Sequence, residues 1–411
     1  MSEWKEVSLS ELGKTITGKT PSSQYPEDFG DEVPFITPSD SFEKKYISRS
    51  ERYLSRLGSD RLKDKIISSD SIMVTCIGSA MGKVAKNSLP SVTNQQINSI
   101  IVNENFDSDY IYYLFKNNYA VFRNAASGST AIPILNKTDF DNLRFKVELD
   151  LNQQRKMVSI LSKIDAKIEI NNQINQELEA MAKTLYDYWF VQFDFPDQNG
   201  KPYKSSGGKM VYHPELKREI PEGWGVEKLD SLLKIGKETT NPMKSPNEEF
   251  KYYSIPEFDT TGTYSLQLGE SIKSNKFKVE KNDLLVSKLN PWFNRVIYNL
   301  EENAISSTEF IVWKTFNRFE KNFLYQVATG KEFIEYCTRF ATGTSNSHKR
   351  VSPDIMIGFQ IPFEKAYIQK FGKIIDSIRT QVLQNNEQNQ ELTQLRDWLL
   401  PMLMNGQVKV E

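Results

Sequence analysis

At 411 residues the chain exceeds what one hydrophobic core usually organises, so two or three domains are expected. Basic and acidic residues nearly cancel, 52 against 53 for a net charge of −1, which excludes a strongly basic nucleic-acid-binding composition and confines any such surface to local patches or to partners. No apolar run is long enough for a membrane span, Met1 to Leu12 lacks a secretory h-region, and Cys76 and Cys337 stand far apart; a cytoplasmic protein with two reduced core cysteines and no metal site is expected.

Residues 1–150 read as a mixed α/β unit that opens on WKEVSLSEL from Trp4. Gly13, Gly18, Lys19 and Thr20 satisfy the spacing of a phosphate-binding loop. Such a loop needs a buried strand before it and a helix after it, whereas a polar SLSEL turn precedes and Pro21, Ser22, Ser23 and Pro26 follow. The runs DSIMVTCIG (Asp70 to Gly78) and NSIIVNE (Asn98 to Glu104) predict strands, and GSTAIPILNK from Gly128 a loop followed by an amphipathic stretch.

Residues 151–195 follow as one long helix. Its seam, at alternating steps of three and four, is Leu161, Ile164, Ile168, Asn171, Asn175, Leu178, Ala182, Leu185 and Trp189. Residues 196–220, rich in Gly, Pro, Ser and Lys, read as a flexible connection. Pro196, Asp197, Glu215 and Lys217 there mimic the order of a metal-dependent nuclease motif, but without paired strands to hold a metal they read as solvated linker.

The second half repeats the first. Residues 221–365 open on WGVEKLDSL from Trp224, contain the strand-like DLLVSKL and TEFIVWK, and end near a second Gly-Ser/Thr loop, GTSNSHKRVS. In residues 366–411, NNEQNQEL from Asn385 repeats NNQINQEL from Asn171 at six of eight positions, 214 residues on. The same displacement carries the seam onto Ile375, Ile378, Val382, Asn385, Asn389, Leu392, Arg396, Leu399 and Leu403. A tandem duplication of α+β units is therefore expected, its two helices pairing as an antiparallel coiled coil whose seam asparagines fix register. At about 1.5 Å per residue, some thirty-five residues span roughly 50 Å, longer than one turn of B-DNA at about 34 Å.

The junction WFVQFDFPDQNGKPYKSSGGKMVYHPELKREIPEGW (Trp189 to Trp224), with TNQQINSI (Thr93 to Ile100) and GSTAIPILNK (Gly128 to Lys137), resembles the specificity subunit of Type I restriction–modification enzymes, and the resemblance covers the whole chain. It implies two target recognition domains alternating with two helical regions. It further implies a gapped double-stranded DNA target with one half-site per recognition domain, and an adenine methyltransferase subunit docked on each side of the helix pair. Restriction and translocation subunits would join outside. No catalytic centre and no cofactor are implied for this chain; S-adenosylmethionine, ATP and magnesium belong with the partners. A coiled-coil scaffold joining two binding modules without reading DNA is the alternative.

Reading base edges takes forked cations and amides, with hydroxyls for either base type. In the first half the candidates are Lys83 and Lys86 after GSAMG, then Ser127, Ser129, Thr130 and Lys137. In the second they are Lys288, Asn290 and Arg295, then Ser345, Asn346, His348, Lys349 and Arg350. Tyr186, Tyr188, Phe190 and Trp398, near the helix ends, are candidate partner-facing aromatics.

Overall fold

The computed structural model describes residues 4–78, 81–126, 133–343 and 348–408. Two compact units emerge: Met1–Asn171 with Glu387–Glu411, and Asn172–Asn386. The division runs through the middle of both long helices, Leu151–Tyr186 and Lys365–Met404, rather than at their ends.

In the first unit, strand Trp4–Ser8 pairs antiparallel with Arg144–Glu148, tying the start of the unit to the strand that feeds the first long helix. Two five-stranded sheets follow. One runs Gly13–Thr17, Ile97–Val102, Ile72–Thr75, Val84–Asn87, Tyr46–Ile47; the other holds a parallel pair, Val33–Ile36 beside Ser91–Thr93. Helix Ser108–Asn117 begins where the Asp107 carboxylate accepts the N–H groups of Asp109 and Tyr110, capping donors the helix itself cannot satisfy. It buries Tyr110 to Phe115 against Phe122, Phe140 and Phe145, and Leu161, Leu400 and Leu403 of the long helices join this core.

The second unit repeats this plan. Gly225–Lys228 pairs with Gln360–Phe363, a four-stranded sheet runs Leu233–Gly236, Phe310–Thr315, Asp283–Ser287, Val296–Tyr298, and a second sheet again contains one parallel pair, Glu249–Tyr253 beside Ala304–Ser306. Asn317 caps helix Arg318–Thr329 as Asp107 caps its counterpart. A buried asparagine closes the same turn in both units: Asn87 donates to the Ser68 and Leu89 carbonyls, Asn299 to those of Glu280 and Glu301. Tandem duplication is thus visible in strand order, caps and turns.

The long helices run antiparallel within each unit. In the first, Asn171 Nδ2 donates to Asn389 Oδ1 (2.9 Å) and Gln388 Oε1 (2.8 Å), and Arg396 pairs with Asp165 (3.1 Å). In the second, Asn385 Nδ2 donates to Asn175 Oδ1 (2.8 Å) and Arg379 pairs with Glu179 (3.2 Å). Leu161, Ile164, Ile375 and Val382 are buried, and Ile168, Leu178, Leu185, Ile378, Leu392 and Leu399 half-buried. Amide pairs at seam positions satisfy each other only in one alignment, so they select register at some cost in stability.

The connecting segment is not the loose linker that its composition suggested. Phe195 is buried and stacks on Tyr203 and Trp224, Met210–His213 and Arg218–Pro221 form a hairpin, and Asp197 accepts the N–H groups of Asn199 and Lys201 within a tight turn. Aromatic burial overrides glycine content here.

Candidate nucleic-acid interface

In each unit three separate stretches meet at one place, held by backbone hydrogen bonds. In the first, Cys76 N–H donates to the Gln96 carbonyl (2.8 Å), Leu135 N–H to Cys76 (2.9 Å) and Gly78 N–H to Pro133 (3.1 Å). In the second, Lys288 N–H donates to Glu309 (2.9 Å), Val351 N–H to Lys288 (3.1 Å) and Asn290 N–H to Lys349 (2.7 Å). Isolated bridges Ile77–Ile134 and Leu289–Arg350 mark the same crossing. The loops carrying the predicted DNA-contacting residues are thereby fastened together, so side chains projecting from them are presented on a pre-set backbone.

Among the residues proposed from sequence, Lys83 is exposed and reaches Glu43 (2.6 Å), and Lys137 is exposed and pairs with Asp141 one turn on. Lys288 and Lys349 are half-buried, and their amino groups enter no ion pair among the described residues. Arg350 forks onto Glu309 (2.9 and 3.0 Å), which raises its pKa, while His348 lies exposed. Ser127, Ser129, Thr130, Ser345 and Asn346 lie outside the described residues.

Three assignments need correction. Lys86 is wholly buried on strand Val84–Asn87, where its Nζ meets Asp109 (2.5 Å), Asp70 (2.6 Å) and the Ser108 hydroxyl (2.9 Å); a cation so enclosed serves the core and does not reach DNA. Burial works against the Asp109 carboxylate, yet hydrogen bonds and charge from Lys45 and Lys86 outweigh it and hold its pKa below the usual value. Asn290 is also buried: its Oδ1 accepts the Lys349 N–H (2.9 Å), which makes it part of the fastening. Tyr186 and Phe190, read as partner-facing, pack with Phe323 and Phe371 in the second unit's core; Tyr188 and Trp398 stay exposed.

Sequence reasoning missed residues that the crossing brings in. Lys19 N–H donates to the Thr93 carbonyl and Thr20 Oγ1 to Gln95 Oε1 (2.6 Å), so the phosphate-loop look-alike lies along the TNQQINSI turn, with Gln95 exposed. Strand Gly13–Thr17 leads into that turn in place of the strand-to-helix passage a phosphate loop requires. No cluster able to hold a metal ion occurs among the described residues. Cys76 and Cys337 are buried, and burial pushes both thiols up to about 12. No helix among the described residues is long and apolar enough to cross a membrane.

A duplicated α/β scaffold with fastened loops is what this geometry defines, and residues 1–180 match the family model described as the Type I restriction modification DNA specificity domain. Over that stretch the chain is similar to the DNA specificity domain of Type I restriction–modification systems, and the relatives that it matches are specificity subunits of Type I restriction enzymes. It is 26% identical, over its full length and 94% of the relative, to the Type I restriction enzyme MjaIX specificity subunit of Methanocaldococcus jannaschii. Over 165 residues, 39% of this chain and 36% of the relative, it is 37% identical to the HindI specificity subunit of Haemophilus influenzae. The crystal structure of a Type-I restriction-modification S subunit from M. genitalium shares the fold, with a TM-score of 0.56 at 16% identity over 98% of this chain and 96% of that one.

Proposed function

We propose that this chain is the specificity subunit of a Type I restriction–modification enzyme, that it reads a two-part, gapped duplex, one half-site per unit, through the fastened loops, and that the paired helices set the gap. The observation that carries the reading is the recurrence of the same three-stretch crossing in both units, each time presenting basic and amide side chains. Lys83, Lys137, Lys288 and Lys349 suit phosphate contact; Gln95, His348 and Arg350 carry the donor and acceptor groups that suit base edges. Pre-fastened loops lose little conformational freedom on binding, which leaves more of the contact energy for discrimination.

Helices of 36 and 40 residues extend about 54 and 60 Å, ample for a spacer between half-sites. Trp398 on the first unit, 58% exposed, and Tyr188 on the second, 40% exposed, offer aromatic surface for adenine methyltransferase subunits. In this reading the methyltransferases hold S-adenosylmethionine, the restriction and translocase subunits hold ATP and magnesium, and this chain binds no cofactor.

The test is co-expression with the neighbouring methyltransferase in a bacterium lacking DNA modification, followed by mapping of methylated adenines. A single two-part motif with a fixed gap, absent when this chain is omitted, is expected. A confirmed assembly that yields no motif would refute the reading and favour a scaffold.

A further inference from the structure

The second unit's crossing carries an aromatic pair that the sequence of the first, Gly78 to Lys83, lacks. Pro291–Phe293 forms one tight helical turn between Asn290 and Asn294, both at positive φ (46° and 50°), a conformation asparagine tolerates better than most residues. The turn is pinned from several sides. Pro291 is buried, Asn290 exchanges backbone and side-chain hydrogen bonds with Lys349, and the Arg295 guanidinium forks onto Asp259 (2.5 and 2.7 Å) while lying 4.5 Å from the Phe293 ring centre. Trp292 and Phe293 nevertheless stand 38% and 57% exposed, with ring centres 6.0 Å apart. Two adjacent aromatics held in water on an anchored turn contribute little to the core and are pre-organised for a partner.

The surroundings identify that partner. Arg295 is matched by Asp259 and Arg350 by Glu309, whereas Lys288 and Lys349 enter no ion pair among the described residues, leaving local positive charge in a chain whose net charge is −1. Such groups match the major groove, where the one apolar feature of the base edges is the thymine methyl. Resting on the recognition reading above, we infer that the Trp292–Phe293 tip packs on a thymine methyl in the half-site read by the second unit. The corresponding loop of the first unit, Gly78 to Lys83, has no aromatic residue, so that half-site lacks this contact.

The experiment uses the complex assembled with its methyltransferase, after the motif has been mapped. Each thymine of the second half-site is replaced singly by deoxyuridine, which removes only the methyl. Binding should weaken about fourfold at one position, the value of one buried methyl group. Phe293→Ala, and Trp292→Ala with Phe293→Ala, should bind the unmodified site more weakly and lose sensitivity to that replacement. Phe293→Leu should keep part of it, and the first half-site should respond alike in all forms. Uridine sensitivity that persists in the alanine variants, or appears nowhere in the second half-site, overturns the contact while leaving base reading intact. Strong 2-aminopurine emission at one step, abolished by the variants, would mean insertion between bases and would also overturn it. A wild-type complex without a motif removes the reading on which the contact rests.

Discussion

The two crossings have the same backbone and different cargo. In the first unit the chain turns through Gly78 and Gly82, at φ 82° and 88°; in the second it turns through Asn290 and Asn294, and it carries an aromatic pair where the first has alanine and methionine. Three equivalent backbone bonds hold each crossing. A duplicated scaffold can thus vary the side chains it presents without renegotiating the fold, because the positive-φ positions are filled from a small menu and the fastening is main-chain. Beneath the loops the units also differ in how they house a buried lysine: Lys86 lies among carboxylates, whereas Lys321 donates to the carbonyls of Lys281 (3.0 Å) and Asn299 (2.5 Å) and lies 3.9 Å from the Tyr298 ring centre.

That contrast can be broken most severely at Asp109. Asp109→Ala removes the carboxylate shared by Lys45 and Lys86 and leaves a buried cation with only Asp70; the expected cost is about 3–5 kcal/mol. Calorimetry should show the first unit's transition falling while the second unit's stays, and a uniform shift would contradict the assignment.

Lys321 should reveal itself through pH. Burial, its largest influence, drives its pKa down to about 7 from an ordinary 10.5. Between those values the unfolded chain binds a proton that the folded chain does not, so stability rises with pH; below about 7 both states are protonated and the full penalty stands. The second unit's denaturation midpoint should therefore climb from pH 7 to about 9.5, before unfolded tyrosines ionise, and Lys321→Met should flatten that climb. An unchanged slope in the variant would assign it elsewhere.

Smaller effects sharpen the comparison of the turns. Gly82→Ala places a side chain at φ 88°, with its Cβ 3.0 Å from the Tyr119 ring, and should cost about 1–2 kcal/mol in denaturant titrations. Asn290→Gly keeps the turn accessible but leaves the Lys349 N–H without its side-chain acceptor, for about 1 kcal/mol. The reverse order would mean that the asparagine fastening outweighs glycine's conformational role.

Duplication, the long helices and the seam were legible because repetition and 3.5-residue periodicity survive in one dimension: Asn171 meets Asn389 and Asn175 meets Asn385, each pairing with the repeat image of the other, as antiparallel helices require. Chemistry at single loop residues was not legible. Lys86 and Lys83 stand three residues apart in one basic stretch, yet the strand that starts at Val84 is buried along its whole length and takes Lys86 with it, while Lys83 stays in the exposed loop before it. Asn290 looked like a base reader because an amide serves equally to hydrogen-bond adenine or a neighbouring loop. Trp292 and Phe293 would ordinarily be assigned to a core, and only the pinned turn shows them outside it.

The smallest expected effect separates those two lysines in function. Lys83 forms an exposed pair with Glu43, of a kind worth roughly 0–1 kcal/mol, so Lys83→Ala should leave stability nearly unchanged. If Lys83 meets a phosphate, the variant's affinity should fall for every sequence alike, and the slope of log affinity against log salt should flatten by about one. Lys86→Met, at a site closed to solvent, should leave that slope as it is in any variant that folds. A Lys83→Ala complex with an unaltered slope but an altered motif would move Lys83 from the phosphates to the base edges, making the glycine turn of the first unit a reader of sequence, as proposed for the asparagine turn of the second.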